Sequence, residues 1–343
     1  MNTNLDMLTS EDLEAWWQRV PGARRFLHTM ITEAEQNKAI VADLSEDNDD
    51  GFISIFTEEI QRRNYSIVVE RYEVNNCDNE EDFITDLAMK FDPNYVPDMM
   101  SDSIIMDVAR KNILSGYVIF VKLNSNLSGL TNLVSDFNKI ESTQKGSLIF
   151  LTPEIMPSQI TMRVADYILP YDVQFFAINL LENTRLNQTE KLYTATLISK
   201  LAETSAIVAK NLSSAELFFR GKDFAKEILG DSFDKHFFNR AVWETQIQFA
   251  LPIVESVREN LIERNENALK KLLLMPLTDE FGKSIESPWD MELRHLHYYG
   301  GSSKIFSLNS WEKLEFAYKV RNDLSHLKPL NIEELEKIFI LNE

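Results

Sequence analysis

Short apolar runs separated by amphipathic stretches fill the first half of the chain. Residues 38–44 (KAIVADL), 65–72 (YSIVVERY), 117–123 (YVIFVKL) and 147–151 (SLIFL) are rich in β-branched or aromatic side chains, which predicts strands. Residues 167–169 and 173–178 read as further strands. Between them, residues 52–64, 78–91, 101–114 and 127–140 carry helical spacing. A leading helix is expected over residues 10–36, with Ser10 as its N-cap and Pro21 dividing it. Adjacent Trp16 and Trp17 on such a helix place one ring in the core and the other outside it. Short strands alternating with helices predict a mostly parallel sheet covered on both faces.

The second half has a different rhythm. Helical spacing runs over residues 187–210, 214–229, 237–274, 310–327 and 335–341, with no convincing strand. Pro252 is expected to kink the long third helix. Residues 278–307 contain Pro288, Gly300 and Gly301 and read as an irregular connection. The change of pattern divides the chain into an α/β domain, residues 1–184, and an all-α helical domain, residues 185–343.

Charge sharpens that division. The chain of 343 residues has a formal net charge of −19. Residues 1–184 hold 14 Lys and Arg against 30 Asp and Glu, a net of −16. Residues 185–343 hold 21 against 24, a net of −3. Such acidity argues against a protein that coats nucleic acid, because that binding rests on neutralised phosphates. If either half meets RNA, the second is better suited. No apolar run reaches the length of a membrane span, so no membrane partner is expected. The N-terminus lacks a signal-peptide pattern. The single cysteine, Cys77, fits a reducing cytoplasm and excludes a Cys-rich zinc site.

Strand, loop and helix over residues 38–64 have the layout of a P-loop domain. The loop reads Ser45-Glu46-Asp47-Asn48-Asp49-Asp50-Gly51, with one glycine and no lysine, and its four carboxylates would repel a triphosphate. Its spacing also fails the calcium-loop pattern. The strand at 117–123 ends in Lys122, Leu123 and Asn124, where a magnesium-binding Asp would stand in an ATPase. The first half therefore resembles a P-loop domain of the STAND or AAA type without a Walker A motif. The resemblance implies a scaffold or sensor that binds no nucleotide cofactor.

Arg321-Asn322-Asp323-Leu324-Ser325-His326 closes the penultimate helix, with Pro329 just beyond. Asn322 and His326 lie four apart and share a face. Arg321 reaches the same margin, and Phe316, Val320, Leu324 and Leu327 form an apolar stripe behind it. This arrangement resembles the HEPN family, marked by Arg, often followed by Asn, and then His four to six residues after the Arg. The resemblance implies a helical bundle that self-associates through the C-terminal domain and joins two motifs in one cleft. It implies Arg321, Asn322 and His326 as catalytic residues of a metal-independent ribonuclease from a bacterial defence or toxin-like system. A sensor or antitoxin protein is the implied partner, and a non-catalytic dimerisation subunit is the alternative.

The chemistry fits those side chains. An imidazole exchanges protons near neutrality, and a guanidinium matches the oxygens of a phosphorane. Arg294, Tyr298 and Lys328 are candidates for holding the RNA, Tyr298 by stacking with its neighbour Tyr299. His295 and His297, two apart, admit a zinc site or a plain surface loop. Glu255 and Glu259 on the long helix read as solvated helix charge, with pairing to Arg321 across the bundle as the alternative. The site residues suffice for chemistry without a metal or other cofactor.

Overall fold

In the computed structural model, the described residues are 5–44, 49–74, 80–98, 100–123, 129–152, 161–275, 277–278, 282 and 284–341. The expectations placed on Glu46, Asp47, Asn48, Cys77 and Asn124 lie outside them. The chain forms two compact units. One comprises Asn4–Leu180 with Ala202–Asn211, and the other Leu181–Leu201 with Leu212–Glu343.

The N-terminal unit runs α1 (Ser10–Glu14), α2 (Pro21–Glu35), β1 (Ala39–Asp43), α3 (Asp49–Arg63), β2 (Val68–Val74), α4 (Glu80–Phe91), α5 (Ile104–Arg110), β3 (Tyr117–Leu123), α6 (Leu130–Lys139), β4 (Ser147–Leu151), β5 (Thr161–Arg163) and α7 (Pro170–Leu180). Its five strands pair in the order β2-β3-β4-β1-β5, and every pairing is parallel. The inner strands are apolar on both faces, as a sheet covered on both sides requires. Val41, Ile119, Val121, Leu148 and Phe150 pack with Phe83, Leu87, Val108 and Phe137 of α4, α5 and α6. On the opposite face Phe120 meets Phe52 and Phe56 of α3, at 6.3 and 5.0 Å between ring centroids, and Trp17 meets Phe52 at 4.7 Å.

Three expectations change here. Trp16 and Trp17, in the π-turn of residues 15–19, are both buried, because Trp16 packs on Phe176 and Trp17 on Phe26 and Phe52. The N-cap of α1 is Thr9, whose hydroxyl and backbone amide both engage Asp12. Residues 167–169 form no strand, the run 173–178 is helical, and the last strand is the short Thr161–Arg163 instead. Pro170 suits the first turn of a helix, and buried Val173, Phe176 and Ala177 recur at helical spacing.

A fully buried carboxylate fastens this unit. Asp172 accepts the Leu169 amide at the start of α7 and the Gly22 amide at the start of α2, both at 2.9 Å. Two helix N-termini thus converge on one anion, as their dipoles favour. Residues 202–211 return to this unit because Lys210 pairs with Asp12, and Asn211 exchanges two hydrogen bonds of 2.9 Å with the Asp6 backbone.

The C-terminal unit contains α8 (Gln188–Leu201), α10 (Ala215–Arg220), α11 (Lys222–Leu229), α12 (Lys235–Leu272), the single turns α13 (Leu293–His295) and α14 (Gly301–Ser303), α15 (Leu308–Ser325) and α16 (Ile332–Ile340). α9 (Ala206–Leu212) precedes α10 and contributes residues to the N-terminal unit. α12 is continuous through Pro252, and its backbone leaves helical geometry at Asn265 instead. There the Asn265 side chain donates to the Leu261 carbonyl at 2.8 Å, competing with the backbone ladder. Two-residue strands, β6 (Leu277–Thr278) and β7 (Ser284–Ile285), pair antiparallel where no strand is expected.

Candidate functional site

α15 begins at Ser307, whose hydroxyl accepts the Ser310 amide. Leu314, Ala317, Val320 and Leu324 recur at three- and four-residue spacing and are buried. Trp243 of α12 donates its indole N–H to the Leu324 carbonyl at 2.7 Å, satisfying an acceptor left over at the helix end. His326 is the C-cap and Leu327 adopts a left-handed conformation with φ 58°. The amides of Leu327 and Lys328 turn back to the carbonyls of Leu324 and Asp323, at 3.2 and 2.9 Å, a Schellman closure. Leu327 therefore leaves the expected apolar stripe and is exposed.

Arg321 follows Val320 at the margin of the buried face and lines a cleft of about 440 Å³. Leu251, Val254, Glu255 and Arg258 of α12 form one wall, and residues 289–293 the other. Arg321 Nη2 lies 3.8 Å from Glu292 Oε2, and Arg294 Nε lies 3.3 Å from that same oxygen. One carboxylate thus gathers two of the expected site residues. The acid that meets Arg321 is Glu292 rather than one on α12. Glu255 pairs instead with Arg258, whose Nη1 donates to the carbonyls of Met291 at 3.0 Å and Trp289 at 3.3 Å. Arg258 thereby ties the Glu292 segment to α12.

The two neighbouring histidines are already engaged. His295 is buried, and its Nδ1 accepts the Glu292 amide at 3.1 Å. His297 stacks between Trp311 and Tyr318 of α15, at 4.9 and 4.8 Å. Residues 293–300 are helical turns rather than an extended segment. No group of three or more potential metal ligands is found among the described residues.

Asn322 is half-buried and His326 is exposed further along the same helix. Neither lines the cleft that Arg321 lines. Lys328 pairs with Asp323 at 3.0 Å, and Tyr298 is exposed with its ring edge-on to Tyr299 at 5.0 Å. Glu292 carries no sequence signal of its own, since it lies in a stretch without periodicity and far along the chain from Arg321.

In the N-terminal unit, the position of the expected magnesium ligand carries the Lys122 ammonium, 3.0 Å from Asp49 at the start of α3. Arg71 of β2 pairs with the adjoining Asp50. The acidic helix start is thus neutralised by cations of its own sheet.

No protein-family model matches this chain, and no curated protein does. Among solved structures it is similar to the ORC2 protein of Aeropyrum pernix in its ADPNP–ADP complexes, at 13% identity over 99% of this chain and 96% of that one, with a TM-score of 0.30. No helix among the described residues is long and apolar enough to cross a membrane.

Proposed function

We propose that the C-terminal unit is a metal-independent endoribonuclease of the HEPN type, acting in a bacterial defence or toxin-like system. The observation that carries this reading is the setting of Arg321. Its guanidinium lines a cleft, on a helix whose opposite face is buried and whose next turn ends in exposed His326. Two copies of the chain would bring two such helix ends to one RNA strand. One His326 takes the proton of a ribose 2′-hydroxyl as its oxygen attacks phosphorus. The second His326 protonates the departing 5′-oxygen, leaving a 2′,3′-cyclic phosphate and a 5′-hydroxyl. Arg321 stabilises the charge that builds on the phosphorane oxygens, and Asn322 orients the imidazole or a phosphate oxygen. The N-terminal unit serves as a scaffold or sensor without nucleotide chemistry, in keeping with the Lys122–Asp49 pair.

The test is incubation of the purified chain with total RNA, with and without EDTA. Cleavage that survives EDTA and vanishes in Arg321→Ala and His326→Ala, with both variants still folded and associated, is the expected result. Equal cleavage by the variants and the native chain would refute the assignment. A second reading, a non-catalytic dimerisation subunit, is favoured by one observation: Glu292 already engages both Arg321 and Arg294. That reading requires a stable dimer with no RNA cleavage under any of these conditions.

A further inference from the structure

A second cleft lies wholly within the N-terminal unit. It measures about 700 Å³ and is lined by Arg19, Arg24, Arg25, His28, Tyr167 and Tyr171, among others. Its lining carries three arginines and no acid, although Arg19 pairs with Glu14 at 3.6 Å. Residues 15–32 contain Arg19, Arg24, Arg25 and His28 and no Asp or Glu, within a half that carries 30 acids. Arg24 Nε lies 3.2 Å from His28 Nε2, and Arg63 of α3 reaches the other ring nitrogen. Burial and then the two guanidinium groups push the His28 imidazole below its ordinary titration range. A neutral ring accepts from only one of the two guanidinium groups. Arg25 donates to the Tyr167 carbonyl at 3.4 Å. Among the described residues, no carboxylate pairs with Arg24 or Arg25. Exposed cations grouped in this way repel one another, and an arriving anion relieves that repulsion.

The rings narrow the choice of anion. Tyr171 is 52% exposed at the rim, and Tyr167 is held edge-on by Phe26 at 5.3 Å. Free phosphate uses no ring, whereas an unpaired base does, and duplexes hide their base faces. From Arg24 to Thr32 the helix climbs roughly 12 Å at about 1.5 Å per residue, the length of three to four stacked nucleotides at about 3.4 Å each. We propose that this cleft binds single-stranded nucleic acid, with phosphates on Arg24 and Arg25 and a base on the Tyr171 ring. The inference stands on the N-terminal unit alone and does not require the C-terminal unit to be an enzyme.

Binding of a fluorescein-labelled twelve-nucleotide oligo(dT) to the full chain, followed by anisotropy, tests it. This probe has no 2′-hydroxyl, so cleavage cannot confuse the reading. Arg24→Glu/Arg25→Glu should weaken binding at least ten-fold. Arg24→Ala/Arg25→Ala should lower the slope of log affinity against log salt by about 1.4, at about 0.7 per phosphate contact. Tyr171→Ala should weaken binding roughly five-fold or more through lost stacking and leave that slope unchanged. Arg24→Glu/Arg25→Glu should weaken binding by the same factor in an Arg321→Ala/His326→Ala background as in the native chain. These residues are exposed, so circular dichroism should report intact folds. The proposal is overturned if the Arg24/Arg25 and Tyr171 variants bind normally, or if binding is lost only with Arg321 and His326. Equal affinity for a duplex, or equal competition by a phosphopeptide, also overturns it.

Discussion

Gln246 of α12 holds both polar atoms of Leu330. Its Nε2 donates to the Leu330 carbonyl at 3.0 Å, and its Oε1 accepts the Leu330 amide at 2.7 Å. The pair is buried, with Gln246 only 2% exposed. Together with Trp243 on Leu324, it fixes the chain where the Arg321–His326 helix ends. Gln246→Leu leaves a donor and an acceptor buried without partners, each worth about 1–3 kcal/mol. Urea unfolding should therefore show a loss of roughly 2–6 kcal/mol. Gln246→Glu, which keeps the acceptor and loses the donor, should also destabilise the unit. A change below about 0.5 kcal/mol in Gln246→Leu would show that the clamp is not needed.

Much of this architecture is legible in the sequence, and the exceptions have physical causes. β1, β3 and β4 lie within the expected apolar runs because a strand buried on both faces reads as a nearly continuous apolar run. The same rule misleads at residues 173–178, where a short apolar run suits a strand and a buried helix alike. The buried carboxylate that favours a helix start there, Asp172, gains its second partner from Gly22, which no local pattern reveals. Arg321 and Arg294 are found by residue type. Their common partner Glu292 is not, since only the tertiary fold joins them. The bend at Asn265 likewise depends on a side chain competing for a backbone carbonyl, and proline rules are silent on it.

Gly22 is required by close approach. A Cβ there would stand 2.4 Å from the Tyr167 carbonyl oxygen and 2.5 Å from an Asp172 carboxylate oxygen. Neither can yield without breaking the junction of α2 and α7. Gly22→Ala should cost at least about 3 kcal/mol, beyond the usual range for a single added methyl. Asp172→Ala should cost a similar amount, because two helix-start amides lose a shared anion. A thermal melt of Gly22→Ala matching the native chain would show that the junction relaxes freely.

Leu327 occupies the left-handed position of the Schellman closure, where glycine is favoured, and its side chain is 68% exposed. Little packing is lost on truncation, while about 1 kcal/mol of left-handed strain is relieved. Leu327→Gly should therefore raise stability by up to about 0.5 kcal/mol once glycine's extra chain entropy is counted. Differential scanning calorimetry checks the direction. A lowered melting temperature would mean that the Leu327 side chain makes contacts worth more than the strain.

Acid should loosen the N-terminal unit through Asp107. Burial alone raises this carboxyl, but Lys111 at 2.8 Å, the Asp98 amide and the Tyr95 hydroxyl outweigh burial and hold it below the usual range. Asp12, paired with Lys210, is lowered in the same way. A carboxyl lowered in the folded state binds fewer protons there than when unfolded, so its contribution is complete above about pH 4. It is lost as pH falls through the folded value. The urea midpoint of the native chain should drop steeply below about pH 4, and more shallowly in Asp107→Asn. Equal pH slopes for the two would remove Asp107 from this account.

The Glu292 carboxylate should restrain the C-terminal site. It draws Arg321 and Arg294 toward one oxygen, and a phosphate entering the cleft competes with it for both. The contest is mild, because the Arg321 pair is 3.8 Å long and its side chains are 45% and 53% exposed. Pairs of that kind are worth up to about 1 kcal/mol, which corresponds to a rate change of roughly two- to five-fold. On the proposed ribonuclease reading, Glu292→Gln should accordingly speed RNA cleavage by about that factor at low salt, and less at high salt, where screening already weakens the pair. Glu292→Gln/Arg321→Ala should be as inactive as Arg321→Ala, since the gain acts through the released guanidinium. A Glu292→Gln variant that cleaves more slowly than the native chain would instead make Glu292 a positioning residue, and the idea of a restraining carboxylate would fall.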